Sequence, residues 1–171
     1  MKTLIIEKLP RILKNKKKLE KELDIKITNR GKEVFVEGKT LNEYIAEKVL
    51  DAIDFGFPIK ITLLINSEDY GFQILNIKDY TKRKDFSRIR SRIIGKQGKT
   101  LATLSQLTKC FFELKGNEVG IIGHPEQIKT AQDSVIELIR GSKQANVYKR
   151  LEKHKPLPIL DLGLKIKIKK K

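Results

Sequence analysis

A short loop bracketed by two glycines contains the residues of this chain best suited to chemistry. It reads Gly95-Lys96-Gln97-Gly98 and follows the apolar pair Ile93-Ile94. Glycine has no Cβ and adopts positive φ readily, so a phosphate group can approach the backbone of such a loop closely. A helix beginning near Gly98 would add unpaired N–H groups and a positive dipole end, which attract anions. The spacing therefore predicts a clamp for a phosphate backbone, although glycines three residues apart also mark ordinary turns.

The elements that position this loop follow from the spacing of the apolar residues after it. Two alternating stretches predict two strands, and a later stretch with helical spacing predicts a long final helix. The positions are Cys110, Phe112, Leu114, Val119 and Ile121 in the strands and Ile128, Ala131, Val135 and Leu138 in the helix. The predicted order, helix, loop, helix, strand, strand, helix, resembles a type I KH domain. In that α+β family a three-stranded antiparallel sheet packs on helices, and the loop holds about four nucleotides of single-stranded RNA.

The charge of the chain also favours a polyanionic partner. Its 171 residues have a formal net charge of +16, which points to nucleic acid more than to a small neutral metabolite. Lysine enrichment for solubility is the alternative explanation. Basic residues accumulate on the approach to the glycine loop, at Lys82, Arg83, Lys84, Arg88, Arg90, Arg92, Lys96 and Lys99.

The composition also bears on the cellular compartment in which the protein is expected. The single cysteine, Cys110, rules out an internal disulfide and is expected to be a buried thiol in a reducing compartment. No apolar run approaches the roughly 20 residues of a membrane span, and no secretory signal is evident. We therefore expect a cytoplasmic protein with no membrane association.

The chain contains an internal repeat, which is found by shifting the sequence against itself without gaps until Leu19 lies opposite Leu104. This shift is called the repeat offset below. The further identical pairs are Gly31 and Gly116, Val34 and Val119, Gly38 and Gly123, Ala46 and Ala131, and Gly56 and Gly141. We predict two tandem type I KH domains, a first copy at residues 1–65 and a second copy at residues 66–143. The C-terminal segment, residues 144–171, is predicted to be a short helix and a basic tail.

The first copy is predicted to be degenerate. The repeat offset places Pro10 opposite Gly95 and Leu13 opposite Gly98, so both glycines of the loop are missing. Few residues separate the opening strand, 3–6, from Pro10, which leaves little room for a helix. The lysines at 14 and 16–18 could attract phosphate through charge alone, or could form a solvated helix face paired with glutamates.

The C-terminal segment divides into two parts. Val147, Tyr148 and Leu151 form an apolar face at helical spacing, which predicts a short helix docked on the KH core. Beyond His154, lysines dominate and predict a basic arm suited to RNA. Leu164, Ile166 and Ile168 alternate with lysine, so an edge strand formed on a partner is an alternative to disorder.

Phosphate contacts are expected from basic and polar side chains around the loop, and bases are expected in an apolar groove facing the strand around Phe112. Ile94 and Leu101 are the better groove candidates, and Leu104 is expected to be structural. The predicted RNA-binding residues are Arg90, Arg92, Ile93, Ile94, Gly95, Lys96, Gln97, Gly98, Lys99 and Leu101.

Several motifs together resemble the partner-of-Nob-one or Dim-two family, a two-KH-domain ribosome-biogenesis family shared by archaea and eukaryotes. The resemblance covers about residues 40–152, and the Val147-Tyr148 segment after the second copy discriminates this family from other KH proteins. The motifs are Gly56-Phe57, Ile77-Lys78-Asp79-Tyr80, the stretch 91–100, Ile121-Ile122-Gly123, Gly141-Ser142, Val147-Tyr148 and Leu151-Glu152. Archaeal relatives often keep a glycine loop in the first unit, where this chain has Pro10 to Leu13.

The resemblance implies that the second copy binds the 3′ end of small-subunit ribosomal RNA near the maturation cleavage site of a partner endonuclease. It also implies a link to the alpha subunit of translation initiation factor two. An RNA-binding factor of transcription or translation initiation, or a protein-interaction scaffold, is the alternative.

An enzyme is not expected. The sequence has no clustered acidic metal site, no glycine-rich cofactor fingerprint after a strand and no nucleophile motif. We therefore predict no catalytic residues, no metal and no cofactor.

Overall fold

The computed structural model describes residues 1–154, in which strands and helices follow one another in the same order twice. The elements are β1 (Lys2–Ile5), α1 (Leu9–Lys14), α2 (Lys16–Leu23), β2 (Ile25–Arg30), β3 (Glu33–Gly38), α3 (Thr40–Phe55), α4 (Ile59–Thr62), β4 (Gly71–Asn76), α5 (Phe86–Ile94), α6 (Lys99–Thr108), β5 (Phe111–Lys115), β6 (Glu118–Gly123), α7 (Pro125–Arg140) and α8 (Gln144–Lys153). This is an α+β arrangement, as the sequence predicts.

Each half contains a three-stranded antiparallel sheet whose last strand lies in the centre. The strand orders are β1-β3-β2 and β4-β6-β5. Val34 of β3 pairs with Leu4 and Asn29, and Val119 of β6 pairs with Leu75 and Leu114. The two valines lie opposite each other at the repeat offset, so the predicted repeat is present in the strand register as well as in the sequence.

The long helices α3 and α7 end in the same way. Each has 16 residues and is followed by a glycine at positive φ, Gly56 at 141° and Gly141 at 107°. Glycine tolerates this conformation, so the chain can leave the helix there. A further helix, α4 or α8, begins three residues later in both halves. The sequence left residues 58–65 open between helix and strand, and the structure shows α4 followed by a 3₁₀ turn, Leu63–Asn66.

The start of the first copy differs from that of the second copy. Residues 9–14 form the helix α1, with Pro10 in its first turn, where proline disrupts no hydrogen bond. Only Asn15 separates α1 from α2, so α1 occupies the positions that the glycine loop has in the second copy. No helix lies between β1 and Leu9, as the short spacing predicts, and α1 itself replaces the glycine loop.

An aromatic cluster joins the two copies. The rings of Phe55, Phe57 and Phe72 have centroids 5.8–6.1 Å apart. A Cβ on Gly120 of β6 would lie 2.8 Å from the rings of Phe55 and Phe57, so only glycine lets them approach the strand this closely. Ile122 of the same strand belongs to the core of the first copy. One face of the second sheet is therefore covered by the first copy.

The helix α8 forms as predicted and docks through its apolar face. Val147 and Leu151 are buried in the core of the second copy, and Tyr148 packs at its edge. The predicted basic tail falls on residues 155–171 and lies outside the described residues. No helix within residues 1–154 is long and apolar enough to cross a membrane.

Candidate nucleic-acid interface

The glycine loop is a tight turn between α5 and α6 in which three of the four residues have positive φ. Gly95, Gln97 and Gly98 have φ values of 75°, 53° and 73°. At Gly95 a side chain is excluded outright, because a Cβ would lie 2.1 Å from the Thr100 hydroxyl oxygen and 2.8 Å from the Thr100 backbone nitrogen. The first glycine thus lets the loop fold back onto the start of α6.

The second glycine faces open space. Apart from its two chain neighbours, no described residue has an atom within 4 Å of a Cβ built on Gly98. Lys96, Gln97 and Lys99 are all exposed around it, and the first-turn N–H groups of α6 have no partner from the helix itself. The loop therefore presents a backbone surface that a ligand can approach, edged by two positive charges.

Two predicted phosphate-binding arginines also contact the protein. Arg90 donates from Nη1 to the Asn117 side-chain oxygen at 2.6 Å, and Arg92 donates from Nη2 to the Ser142 carbonyl at 2.6 Å. Both side chains are half-buried. A guanidinium has five N–H donors, so each arginine retains others for a ligand. Arg92 nevertheless makes a structural contact with Ser142, at the end of the second copy, that the sequence did not predict.

The apolar residues near the loop divide between core and surface. Ile93 and Leu104 have no exposed surface, while Ile94 is 37% exposed and Leu101 is half-buried. The side chain of Ile93 packs inside the second copy, which corrects its assignment to the RNA-binding set: a buried side chain cannot contact a base. Ile94 and Leu101 remain available beside the loop, as expected.

Next to α6 lies an open cleft of about 270 Å³. Leu101 of α6 and Phe112 of β5 line it, as the sequence predicts for the groove. The first copy supplies a further wall that the sequence did not predict. The cleft residues are Phe57, Pro58, Ile61, Leu101, Ala102, Ser105, Phe111, Phe112 and Glu113. The segment 57–61 gave no sequence signal of this role, because periodicity within a segment does not show which distant element it meets.

Cys110, directly before the strand that lines the cleft, is 1% exposed. Its sulfur would be 2.5 Å from a Cβ on Gly123, and the thiol is buried, as predicted. Burial raises the pKa of Cys110 to about 11, against a weaker lowering effect of the Thr108 side chain. The thiol is therefore protonated at neutral pH and inert.

No group of three or more potential metal-ligating side chains occurs within residues 1–154. The polar character of the candidate interface comes instead from lysines, arginines and backbone N–H groups, which suit a polyanion.

Comparison with known families decides where the chain belongs. The sequence profile for the second KH domain of PNO1, described as a eukaryotic-type KH domain (KH-domain type I), matches residues 71–156. This chain belongs to the PNO1 family of KH-domain proteins. The match includes the glycine loop, the second sheet and α8.

Curated relatives agree with a PNO1 assignment. A KH domain-containing protein of Methanocaldococcus jannaschii is 32% identical over 147 residues, which are 82% of this chain and 65% of that protein. The pre-rRNA-processing protein pno1 of Aspergillus fumigatus is 31% identical over 142 residues, 79% of this chain and 56% of that protein. The chain therefore spans less than two thirds of the length of these relatives.

Solved structures of PNO1-type proteins share the fold. Dim2p of Pyrococcus horikoshii OT3 has a TM-score of 0.81 at 27% identity, covering 89% of this chain and 98% of that one. A second structure is a complex of a/eIF2alpha, aDim2p and rRNA from the same organism. It matches with a TM-score of 0.80 at 28% identity, covering 89% of this chain and 92% of that one.

Proposed function

We propose that this protein binds single-stranded RNA in the biogenesis of the small ribosomal subunit, at the 3′ end region of its rRNA near the maturation cleavage site. The glycine loop is the observation that carries the proposal, because Gly98 is open to a ligand and exposed lysines flank it. Relatives named as pre-rRNA-processing proteins and the aDim2p–rRNA complex support the ribosomal setting.

The contacts follow from the geometry. Lys96, Gln97, Lys99 and the loop N–H groups hold phosphates, and further N–H groups of Arg90 and Arg92 add to them. Bases lie over Ile94 and enter the cleft. There they meet Leu101 and the strand around Phe112, where apolar surface and main-chain edges are available for contact.

The proposed domain organisation has three parts. Residues 1–65 form a degenerate KH domain without a glycine loop, and residues 66–143 form the RNA-binding KH domain. Residues 144–171 add α8 and a basic tail. The first copy is available for protein contacts, with the rRNA-processing endonuclease and the alpha subunit of initiation factor two as proposed partners. An aDim2p has been solved together with a/eIF2alpha, which supports the second of these.

The proposed role is binding and positioning of RNA in the cytoplasm, without catalysis and without a cofactor. KH domains as a class recognise single strands through a loop and a groove. In this proposal a partner endonuclease cleaves the RNA that this protein binds.

The test compares two RNA oligonucleotides, one with the 3′-end sequence of the organism's small-subunit rRNA and one with the same bases scrambled. We expect tighter binding of the first, and an affinity that falls steeply with salt because phosphate contacts release counterions. Crosslinking in cells followed by RNA sequencing should recover the same region. Equal affinity for both oligonucleotides, together with crosslinks elsewhere, would reject the ribosomal assignment.

A further inference from the structure

Gln144, the first residue of α8, connects the two ends of the glycine loop. Its side-chain nitrogen donates to the carbonyl of Arg92 in the last turn of α5 at 3.1 Å. The same nitrogen donates to the hydroxyl oxygen of Thr100 in the first turn of α6 at 3.0 Å. One amide group therefore bridges the helices that enter and leave the loop.

The bridge is anchored on both sides. Arg92 returns a hydrogen bond from Nη2 to the carbonyl of Ser142, just before α8, at 2.6 Å. Val147 and Leu151 are buried and hold α8 against the second copy. The position of the Gln144 amide is thus set by the docking of a whole helix rather than by a mobile surface side chain.

The hydroxyl that Gln144 holds lies directly under the loop. Thr100 is buried, and its hydroxyl oxygen occupies the space that a side chain on Gly95 would need. Because the backbone of Gly95 rests on this hydroxyl, fixing the Thr100 rotamer also fixes the turn that leads to Gly98. The contact chain runs from α8 through Thr100 to the proposed phosphate-binding backbone.

The first copy lacks every part of this chain. The repeat offset places Ile59 opposite Gln144, Asn15 opposite Thr100 and Glu7 opposite Arg92. Its helix α4 begins at the position equivalent to the start of α8, yet Ile59 and Ile61 of α4 pack on the core of the first copy, and Ile61 lines the cleft. The copy without the loop is therefore also the copy without the bridge.

We propose that Gln144 is a positioning residue for the RNA-binding loop: its amide, held by α8, joins Arg92 to Thr100 and so preorganises the backbone between Gly95 and Gly98. This inference rests on the proposed function, because it assigns the loop to RNA. Preorganisation raises affinity by removing the cost of ordering the loop when the ligand binds. The C-terminal segment after the KH core thereby becomes part of the binding machinery.

The test replaces Gln144 by leucine, which keeps the volume and removes the donor. We expect RNA affinity to fall about fivefold to twentyfold, the usual range for losing a small number of neutral hydrogen bonds. Thr100→Val, which removes the acceptor, should weaken RNA binding similarly. Thr100→Ser, which keeps the hydroxyl, should bind RNA like the wild type. Because both substitutions break one bridge, the double variant Gln144→Leu/Thr100→Val should bind about as well as either single variant.

Controls separate positioning from stability and from the proposed function. Gln106→Ala changes an exposed glutamine of α6 and should bind RNA like the wild type. All variants are measured at a temperature where circular dichroism shows them folded, and the amide resonance of Gly98 should shift in Gln144→Leu. Wild-type affinity of Gln144→Leu would overturn the inference. If reversing the loop charge also leaves affinity unchanged, the proposed function itself fails.

Discussion

At the scale of single residues, the two glycines of the loop are required for different reasons. Gly95 is enclosed, with the Thr100 hydroxyl and backbone in the space of a side chain, whereas Gly98 is open. Both have positive φ, so both would be strained by a side chain. A side chain at Gly95 would clash inside the fold, whereas a methyl group at Gly98 would project from the proposed RNA-binding surface.

Alanine substitutions separate these roles. We expect Gly95→Ala to lower the free energy of unfolding by about 2–4 kcal/mol, because backbone strain and a clash with Thr100 add. Gly98→Ala should cost only about 1 kcal/mol, from strain alone, yet weaken RNA binding. Urea denaturation and RNA titration of both variants measure the difference. Equal destabilisation by the two substitutions would contradict the packing described for Gly95.

The Cys110 thiol predicts a pH dependence of stability. Its pKa is raised from 9.0 to about 11 in the folded protein, so above pH 9 the unfolded chain loses the proton first. Stability should therefore fall as pH rises from about 9 to 11, by at most about 2.7 kcal/mol from this group. The free energy of unfolding of the wild type minus that of Cys110→Ala, measured across this range, isolates the thiol. A flat difference would show that the thiol ionises equally in both states.

Local sequence predicts the loop well because its requirements are local. Two glycines, two lysines and the start of a helix are all contained within residues 95–99. Ile93 and Arg92 were harder to assign, because which face of α5 is covered depends on packing, and the Ser142 carbonyl that accepts from Arg92 lies 50 residues away. The spacing of apolar residues in a short helix does not show whether a distant element buries one of its faces.

At the scale of elements, the difference between the copies is a helix in place of a loop. α1 fills the positions of the glycine loop and runs almost directly into α2. Lys17 and Lys18 at the start of α2 are exposed. The nearby Lys16 forms an ion pair with Glu20, with 3.8 Å between Lys16 Nζ and Glu20 Oε1. These lysines can attract RNA through charge, but no open backbone turn accompanies them.

Reversing the charge of the exposed α2 lysines shows whether the first copy only attracts RNA through charge or also makes specific contacts with it. We expect Lys17→Asp/Lys18→Asp to weaken binding of the 3′-end RNA and of its scrambled form by the same modest factor, and to reduce the salt dependence. Screening limits such exposed charges at physiological ionic strength. The measurement is a salt titration with both RNAs. A selective loss of the 3′-end RNA would instead place specific contacts in the first copy.

The sequence predicts an element's type where the periodic spacing of apolar residues extends over several turns, and leaves it ambiguous in short segments. The helix α7 follows from Ile128, Ala131, Val135 and Leu138, all of which are buried. Residues 58–65 fit either a helix or a strand on spacing alone, and the helix that forms packs on α3 and on the core of the first copy. The role of α4 as a wall of the cleft comes from that tertiary context.

At the scale of the whole molecule, the two copies form a continuous structure with a largely apolar junction. Phe57 is 1% exposed and packs on Phe55, Phe72 and Gly120. Lys115 of β5 adds ion pairs to Glu7 at 2.9 Å and Asp54 at 3.4 Å. Buried aromatic surface contributes more stability than partly exposed ion pairs, so the phenylalanines should dominate the junction.

Two truncations compare these contributions. Phe57→Ala should lower the free energy of unfolding by about 3–5 kcal/mol, the usual cost of deleting a buried aromatic ring, and should loosen the coupling between the copies. Lys115→Ala, which removes only the partly exposed ion pairs, should cost at most about 1 kcal/mol. Urea denaturation followed by fluorescence and circular dichroism reports both stability and coincidence of the transitions. A larger effect of Lys115→Ala would show that charge holds the junction.

The repeat was predictable at this scale, and the junction was not. The repeat offset matches β3 to β6 and α3 to α7 residue by residue. The repeat offset does not show how one copy packs on the other. That packing depends on residues such as Gly120 and Phe57, whose counterparts in the other copy are different residues.

Reversing the charge of the glycine loop shows whether this loop binds the RNA. The measurement is the affinity of Lys96→Asp/Gln97→Asp for a fluorescent RNA with the small-subunit rRNA 3′-end sequence. Both positions are exposed, so the variant should unfold like the wild type. We predict that it loses RNA binding, because two new negative charges face the proposed phosphate path. Wild-type affinity in a folded Lys96→Asp/Gln97→Asp variant would contradict the account.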